Sequence, residues 1–296
     1  MKPYERLLKY IAIRTPSDEE SSTVPSSTCQ FELAQHLLRE LFTMGITDVK
    51  VDTQCYLYAH IPPTPGYEDR PRLGFIAHLD TVSEFCGRRI IAEIHEDYNG
   101  RDLPLGTSGR ILSPDMFPHL RELKGRTLIT SDGTTILGAD DKAGIAEIMT
   151  MVERILDENI PHGPVSIAFT PDEEIGMGAA HFNIEEFDAD FAYTLDGDTE
   201  GEIQYENFNA AKAEFQVTGV NVHPGSSKDV MVNAALVAME INALLPADET
   251  PRDTDGREGF YHLTDMHGDV GSAVIRYIIR DHDAEKFEAR KETLRR

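Results

Sequence analysis

The sequence is poor in cysteine, tryptophan and basic residues. Its three cysteines are odd in number and widely spaced, and they form neither a disulfide framework nor a thiolate zinc pattern. The chain has 28 lysines and arginines and 52 aspartates and glutamates, so its net charge is −24. It therefore lacks the excess of basic residues that binding to nucleic-acid phosphates requires. No apolar run approaches the length that spans a membrane. We therefore expect neither nucleic-acid nor membrane partners.

The N-terminal segment has the pattern of a helix and not of a secretion signal. Tyr4, Leu7, Leu8 and Ile11 recur at helical spacing among charged residues, which predicts an amphipathic helix and a cytoplasmic protein. The 40% hydrophobic and 27% charged composition is ordinary for a globular chain of one large or two modest domains. The acidic excess is compatible with a cationic substrate group, such as a peptide amino terminus, with bound metal, or with a solvated surface.

Strand and helix patterns alternate through the first part of the chain, which we predict to form one domain over residues 1–208. Apolar runs predict strands over 73–79, 165–169 and 191–195, and helices over 30–43 and 142–156. The short apolar run at 136–139 is compatible with a buried strand or its turn. Gly45 stands where a C-terminal helix cap is expected. Alternation of this kind is typical of an α/β fold with a mostly parallel sheet flanked by helices.

The pattern changes after residue 208, and we predict a second domain over 209–296. Strands are predicted over 213–218, 259–266 and 271–281, with helices over 231–245 and 284–296. The order β-α-β-β-α is that of a ferredoxin-like α+β unit without its last strand. Since the chain ends within a helical pattern and shows no stop signal, we expect it to be truncated.

Four short segments that bear carboxylates or a histidine follow apolar runs. They are His78-Leu79-Asp80, Asp140-Asp141, Glu173-Glu174 and Asp196. In an open α/β sheet, ligands bind at the carboxyl ends of the strands. One histidine and several acids that meet there would form a site for two divalent metals. This arrangement predicts a hydrolase that uses metal-activated water.

Two of these segments also have an ordinary structural interpretation. His78 and Asp80 are two residues apart on a strand and share a face, so Asp80 can fix the tautomer of a metal-bound imidazole. A structural histidine is equally compatible with this spacing. Asp140 and Asp141 lie where a helix begins, and aspartate is favoured there as an N-cap. In the functional interpretation, the Asp140 carboxylate bridges two cations.

The remaining acids are similarly open to two interpretations. Glu173 and Glu174 directly follow a hydrophobic strand, where crowded carboxylates repel one another unless a cation neutralises them. One could bind metal while the other takes a proton from water, although an exposed acidic turn gives the same pattern. Asp196 supplies a further carboxylate at a strand end, and we interpret Asp198 as a turn residue.

His223 and Arg280 are isolated candidates in the second domain. His223 lies in a predicted loop within the segment Asn-Val-His-Pro-Gly, and a lone loop histidine is usually unremarkable. Arg280 lies near the end of the last predicted strand. It is ambiguous between a surface residue and a clamp for a substrate carboxylate.

The ordered set of motifs resembles a known family. The motifs are His-x-Asp-Thr (78–81), Gly-Ala-Asp-Asp-Lys-Ala-Gly (138–144), Thr-Pro-Asp-Glu-Glu (170–174) and Asn-Val-His-Pro-Gly (221–225). Over nearly all 296 residues the chain resembles the tripeptide aminopeptidases (the peptidase T family) among the co-catalytic zinc exopeptidases, which also include carboxypeptidase G and the aminoacylases. Segments 112–114, 206–211 and 259–263 favour the tripeptide aminopeptidases over the other members.

The resemblance implies a zinc exopeptidase-like domain, a lid that can also form a homodimer, and short peptide substrates. It implies two Zn²⁺ ions and the following roles. One zinc is bound by His78, Asp140 and Asp196, and the second by Asp140 and Glu174; Glu173 is the general base, Asp80 orients His78, and His223 reaches the scissile carbonyl from the lid.

The resemblance also implies an incomplete second metal site. Family members have a further histidine ligand after the lid, and this sequence stops within the lid. We therefore expect little or no peptidase activity from these 296 residues. Two other classes stay open, namely a carboxypeptidase or deacylase of the same family and a non-catalytic fragment.

Overall fold

The structure, a computed structural model, describes residues 1–87, 89–197 and 199–296. They form two units, Met1–Glu202 (unit 1) and Ile203–Arg296 (unit 2), so the division falls shortly before the boundary predicted after residue 208. The turn that we assigned to Asp198 lies outside the described residues. No helix in the described ranges is both long and apolar enough to cross a membrane.

Unit 1 is an α/β fold. Its helices are α1 (Pro3–Tyr10), α2 (Gln30–Thr43), α3 (Ala139–Asp157) and α4 (Ile184–Phe187). Its strands are β1 (Val49–Val51), β2 (Leu57–Ile61), β3 (Leu73–His78), β4 (Ala92–His95), β5 (Leu103–Leu105), β6 (Arg110–Leu112), β7 (Leu128–Ser131), β8 (Val165–Thr170) and β9 (Phe191–Thr194).

The main sheet of unit 1 has the strand order β1-β2-β8-β3-β9. Strand β3 runs parallel to both β8 and β9, whereas β2 is antiparallel to β8 and to β1. The predicted α/β class is confirmed. The sheet is mixed, with parallel pairing in the three strands that lead to the candidate site, β8, β3 and β9. Every residue of β8 is buried, as expected of a strand covered on both faces. Because β3 and β8 are parallel neighbours, their carboxyl ends lie side by side.

The helix predicted over 30–43 is confirmed as α2. Gly45 follows it in the left-handed region with φ +92°, and the Ile46 N–H donates to the Leu41 carbonyl at 3.0 Å. This is the capping role expected for that glycine, which adopts positive φ without a steric penalty.

In the apolar run at 136–139, residues 136–138 form neither a strand nor a helix, and Ala139 begins α3. The preceding strand, β7, pairs with β4 in a separate sheet. The chain then passes Gly138 in the left-handed region (φ +74°), and Asp140 and Asp141 keep non-helical dihedrals at the start of α3. The peptide bond between these two aspartates is cis. Short apolar runs cannot be assigned by periodicity alone, which explains why the sequence left both interpretations open.

A buried arginine connects three helices of unit 1. Arg6 of α1 is 1% exposed, and its guanidinium contacts Glu40 of α2 at 2.9 Å and Glu153 of α3 at 3.1 Å. It also donates to the Thr150 hydroxyl at 3.0 Å. The charge is therefore paired and hydrogen-bonded within the core, as a buried charge requires.

Replacement of Arg6 with methionine should destabilise the protein strongly. The change leaves Glu40 and Glu153 without their buried partner, and we expect the free energy of unfolding to fall by about 3 kcal/mol. Urea unfolding at neutral pH measures this value. Arg154→Ala is the matched control because Arg154 pairs with Glu158 on an exposed helix surface, and it should change stability little. Equal effects of the two changes would contradict the role assigned to Arg6.

Unit 2 has the predicted order β-α-β-β-α. Its elements are β10 (Asn209–Thr218), α5 (Ala234–Ala243), β11 (Phe260–Gly268), β12 (Ser272–Asp281) and α6 (Ala284–Arg295). The sheet order is β10-β12-β11, and both pairings are antiparallel. Alternate residues of the central strand are buried in the core that the helices cover: Ala273, Ile275, Tyr277 and Ile279. Apolar residues at every second position of β12 thus form one buried face of the sheet.

Candidate metal centre

The candidate site begins at the end of β3 with His78, which is 2% exposed. Its Nδ1 atom lies 2.9 Å from the main-chain oxygen of Asp80 and 3.4 Å from the Asp80 carboxylate. With oxygen acceptors on that side, Nδ1 carries the ring proton in the neutral form. This leaves the lone pair of Nε2 available to a metal ion.

Asp80 is fully buried, and its carboxylate accepts two main-chain hydrogen bonds in addition to its contact with His78. Its Oδ1 accepts the N–H of Glu173 at 2.9 Å, and its Oδ2 accepts the N–H of Glu174 at 3.2 Å. The carboxylate therefore joins the end of β3 to the turn that follows β8. These two hydrogen bonds fix the main-chain positions of both glutamates.

The other acids gather on the Nε2 side of His78. Nε2 lies 3.0 Å from Asp140 Oδ1, 3.8 Å from Glu173 Oε2 and 4.0 Å from Asp196 Oδ1. Two groups of three potential ligands have donor atoms within 4.8 Å of one another in the described residues. They are His78 with Glu173 and Asp196, and His78 with Asp140 and Glu174.

The donor set fits a divalent cation such as zinc. One imidazole nitrogen and several carboxylate oxygens are ligands that zinc accepts. The same carboxylates crowd one another when no cation is bound. Burial and the neighbouring Asp140 carboxylate raise the pKa of Glu174 to about 7, and burial with nearby carboxylates raises the pKa of Asp196 to about 6. Positive charge at the centre would relieve this repulsion.

In the metal-free protein, a proton on His78 partly provides that charge. Burial by itself would lower the pKa of His78, but hydrogen bonds to Asp140 and Asp80 outweigh it and raise the pKa to about 11. The contact with His78 in turn holds the pKa of Asp140 below its ordinary value. The Nε2 proton therefore stands where a metal ion would bind.

Asp141 has a different role from its neighbour Asp140. It is buried, and its carboxylate accepts the His78 N–H at 3.1 Å and the Gly144 N–H at 3.1 Å. The N-capping interpretation thus applies to Asp141, while Asp140 faces the cluster. Gly144 is required here because a Cβ atom would lie 2.0 Å from the Leu195 carbonyl oxygen. The sequence analysis named Asp140 as the bridging ligand and left N-capping open as the alternative, and in the structure the capping hydrogen bond belongs to Asp141.

A cavity of about 460 Å³ adjoins the cluster within unit 1. His78, Glu173 and Asp196 form part of its lining, and apolar side chains such as Ile76 and Phe182 form much of the rest. Its size is within the range of small-molecule sites.

The two candidates in the second domain belong to unit 2. His223 is exposed, and its Nδ1 accepts the N–H of Gly225 at 3.1 Å. The guanidinium of Arg280, also exposed, lies over the Phe208 ring at 4.5 Å from its centroid. Their roles toward a substrate stay predictions.

Metal binding should weaken as the pH falls. Zinc requires deprotonated ligands, so at about pH 7.5 it displaces mainly the His78 proton, whereas at about pH 5 it must also displace protons from Glu174 and Asp196. We therefore expect zinc to raise the melting temperature more at the higher pH. Calorimetric melting with zinc or with a chelator at both values measures this difference. A larger stabilisation in acid would show that these carboxylates do not take part.

Family models match two parts of the chain, and curated relatives match nearly all of it. A model of the peptidase dimerisation domain matches residues 205–296, and a model of M42 glutamyl aminopeptidase matches residues 122–236. Peptidase T of Exiguobacterium sp. is 52% identical over 98% of this chain and 71% of its own length. Peptidase T of Bacillus subtilis is 48% identical over 99% of this chain and 72% of its own length.

Solved structures show the same fold. Aminopeptidase PepT from Bacillus cereus superposes with a TM-score of 0.67 at 24% identity, covering 99% of this chain and 70% of that one. A tripeptidase from Staphylococcus aureus gives a TM-score of 0.67 at 21% identity, covering 99% and 69%.

Proposed function

This chain belongs to the peptidase T family of metal-dependent aminopeptidases, and we propose that its site uses zinc to release the N-terminal residue of short peptides, tripeptides above all. The observation that carries the proposal is the convergence of His78 Nε2 with carboxylates from three separate segments. These segments are far apart in sequence and meet only in the fold. We assign residues 1–208 to catalysis and 209–296 to a lid or dimerisation surface.

We assign His78, Asp140 and Asp196 to one cation, and Asp140 with Glu174 to the second. Both groups of potential ligands contain His78, which has a single nitrogen, Nε2, free of the Asp80 contact. In the proposed assignment, one cation therefore has the imidazole and two carboxylates, and the other has two carboxylates. Because catalytic zinc usually has three protein ligands, we expect the second cation to bind weakly and peptide turnover by this chain to be slow or absent.

The side chains of the cluster divide the reaction between them. Bound divalent cations supply electrophilic activation of water and of a carbonyl oxygen. Glu173 is half-exposed beside His78, so its carboxylate can take a proton from the attacking water and pass it to the leaving amine. Asp80 holds the His78 tautomer and the main chain of Glu173. We propose that His223 and Arg280 contact the peptide.

Metal content and product analysis test the function. We expect about one zinc per chain by mass spectrometry, because one ligand set is complete. Any turnover should release alanine from tri-alanine and should spare N-acetyl-tri-alanine, since an aminopeptidase requires a free amino terminus. A chain that binds no zinc contradicts the proposal. Preferential cleavage of the acetylated peptide would indicate the carboxypeptidase or deacylase alternative.

The match of residues 205–296 to a peptidase dimerisation domain supports a homodimer formed through unit 2. Sedimentation at several concentrations tests this assignment, and a monomer throughout contradicts it.

A further inference from the structure

We propose that Asp172 is a positioning residue that holds the turn carrying Glu173 and Glu174 against the start of α2. The inference rests on the proposed function because the positions of Glu173 and Glu174 matter only if these residues serve the metal site. Asp172 is the first of three consecutive acids, and residue type alone does not distinguish its role from that of the other two.

The Asp172 carboxylate is buried in a dense set of hydrogen bonds. The residue is 1% exposed, and its two oxygens accept the Ser26 N–H at 2.7 Å, the Ser26 hydroxyl at 2.5 Å and the Gln30 side-chain amide at 2.6 Å. Its own N–H donates to the Gln30 side-chain oxygen at 3.3 Å. Three hydrogen bonds to its two oxygens fix the orientation of this carboxylate.

These contacts support an unusual main-chain conformation. Asp172 has φ +57°, in the left-handed region, where aspartate is more readily tolerated than most residues with a side chain. The turn directs the next two N–H groups, those of Glu173 and Glu174, onto the Asp80 carboxylate. The Met177 N–H closes the turn on the Asp172 carbonyl at 2.9 Å.

The turn is therefore held from two sides. Asp172 anchors it to Ser26 and Gln30, and Asp80 anchors it to the end of β3. If the Asp172 contacts are lost, the two glutamates lose one of the two supports that aim them at His78. Groups that orient metal ligands in this way typically contribute about 10-fold to 100-fold to metal affinity.

An isosteric substitution of Asp172, and a compensating substitution of its partner Gln30, test the proposal. Asp172→Asn should reduce zinc affinity by about 10-fold or more, measured by competition with a chromophoric chelator, and should alter the visible absorption of the cobalt-loaded chain. In the double variant Asp172→Asn with Gln30→Glu, amide and carboxylate exchange places, so affinity and spectrum should return toward the wild type. Ser26→Ala removes one hydroxyl and should give a smaller loss in the same direction if Asp172→Asn folds poorly.

Glu40→Gln is the matched control. Glu40 also lies on α2, and its carboxylate accepts hydrogen bonds from Arg6 and Tyr10, so its loss should lower the melting temperature while leaving zinc affinity unchanged. If Asp172→Asn melts lower but binds zinc as the wild type does, the residue is merely structural and the inference is wrong. If the wild-type chain binds neither zinc nor cobalt, the proposed function fails as well.

Discussion

Replacement of His78 with alanine should lower the zinc affinity of the chain by more than about 100-fold, beyond the usual effect of groups outside the ligand set. His78 belongs to both groups of potential ligands, and its Nε2 is the nitrogen donor in each. Its removal takes away the one nitrogen donor of both groups and leaves each with two carboxylates, fewer than the three protein ligands that zinc sites usually have. Isothermal titration at neutral pH measures the change directly.

His60→Ala is the control for this experiment. His60 lies on β2, and its ring contacts the Glu186 carbonyl at 3.0 Å and the Asp48 carboxylate at 3.4 Å. Zinc affinity should therefore be preserved. Unchanged zinc binding by the His78 variant would place the metal elsewhere and would overturn the site.

A paired comparison of Glu173→Gln and Glu174→Gln should separate the general base from the metal ligand. We expect Glu174→Gln to weaken zinc binding, because Glu174 shares a group with His78 and Asp140. Glu173→Gln should retain zinc and reduce any tri-alanine turnover by about 100-fold or more, as expected from loss of a general base. Zinc titration and long incubations with excess chain provide the two measurements.

The geometry of the cluster is also compatible with the opposite assignment, in which Glu173 binds the metal and Glu174 is the base. Glu173 also lies within ligand distance of His78 and Asp196. Loss of zinc in Glu173→Gln, with normal binding in Glu174→Gln, would exchange the two roles. Equal losses in both variants would indicate that the turn is distorted and that neither role is established.

Much of the fold could be predicted because local patterns and tertiary structure agree. The leucine spacing of α2 and the alternation along β12 each mark one buried face, and both elements form where they were predicted. The run at 136–139 was harder, since a short apolar segment is compatible with a strand or a turn, and only pairing decides. The strand that precedes it, β7, pairs with β4 in a different sheet, and residues 136–138 form no strand.

By itself, the sequence determined the donor chemistry of the site and the order of its motifs, because residue types and spacing are local properties. The tertiary structure decided which acid of each cluster faces the centre. Asp141 and Asp172 turn away to cap α3 and to brace the start of α2, while Asp140 and Glu173 face His78. The physical reason is that adjacent side chains in a turn point in directions set by main-chain dihedrals. Those dihedrals are held by partners far away in sequence, as Ser26 holds Asp172.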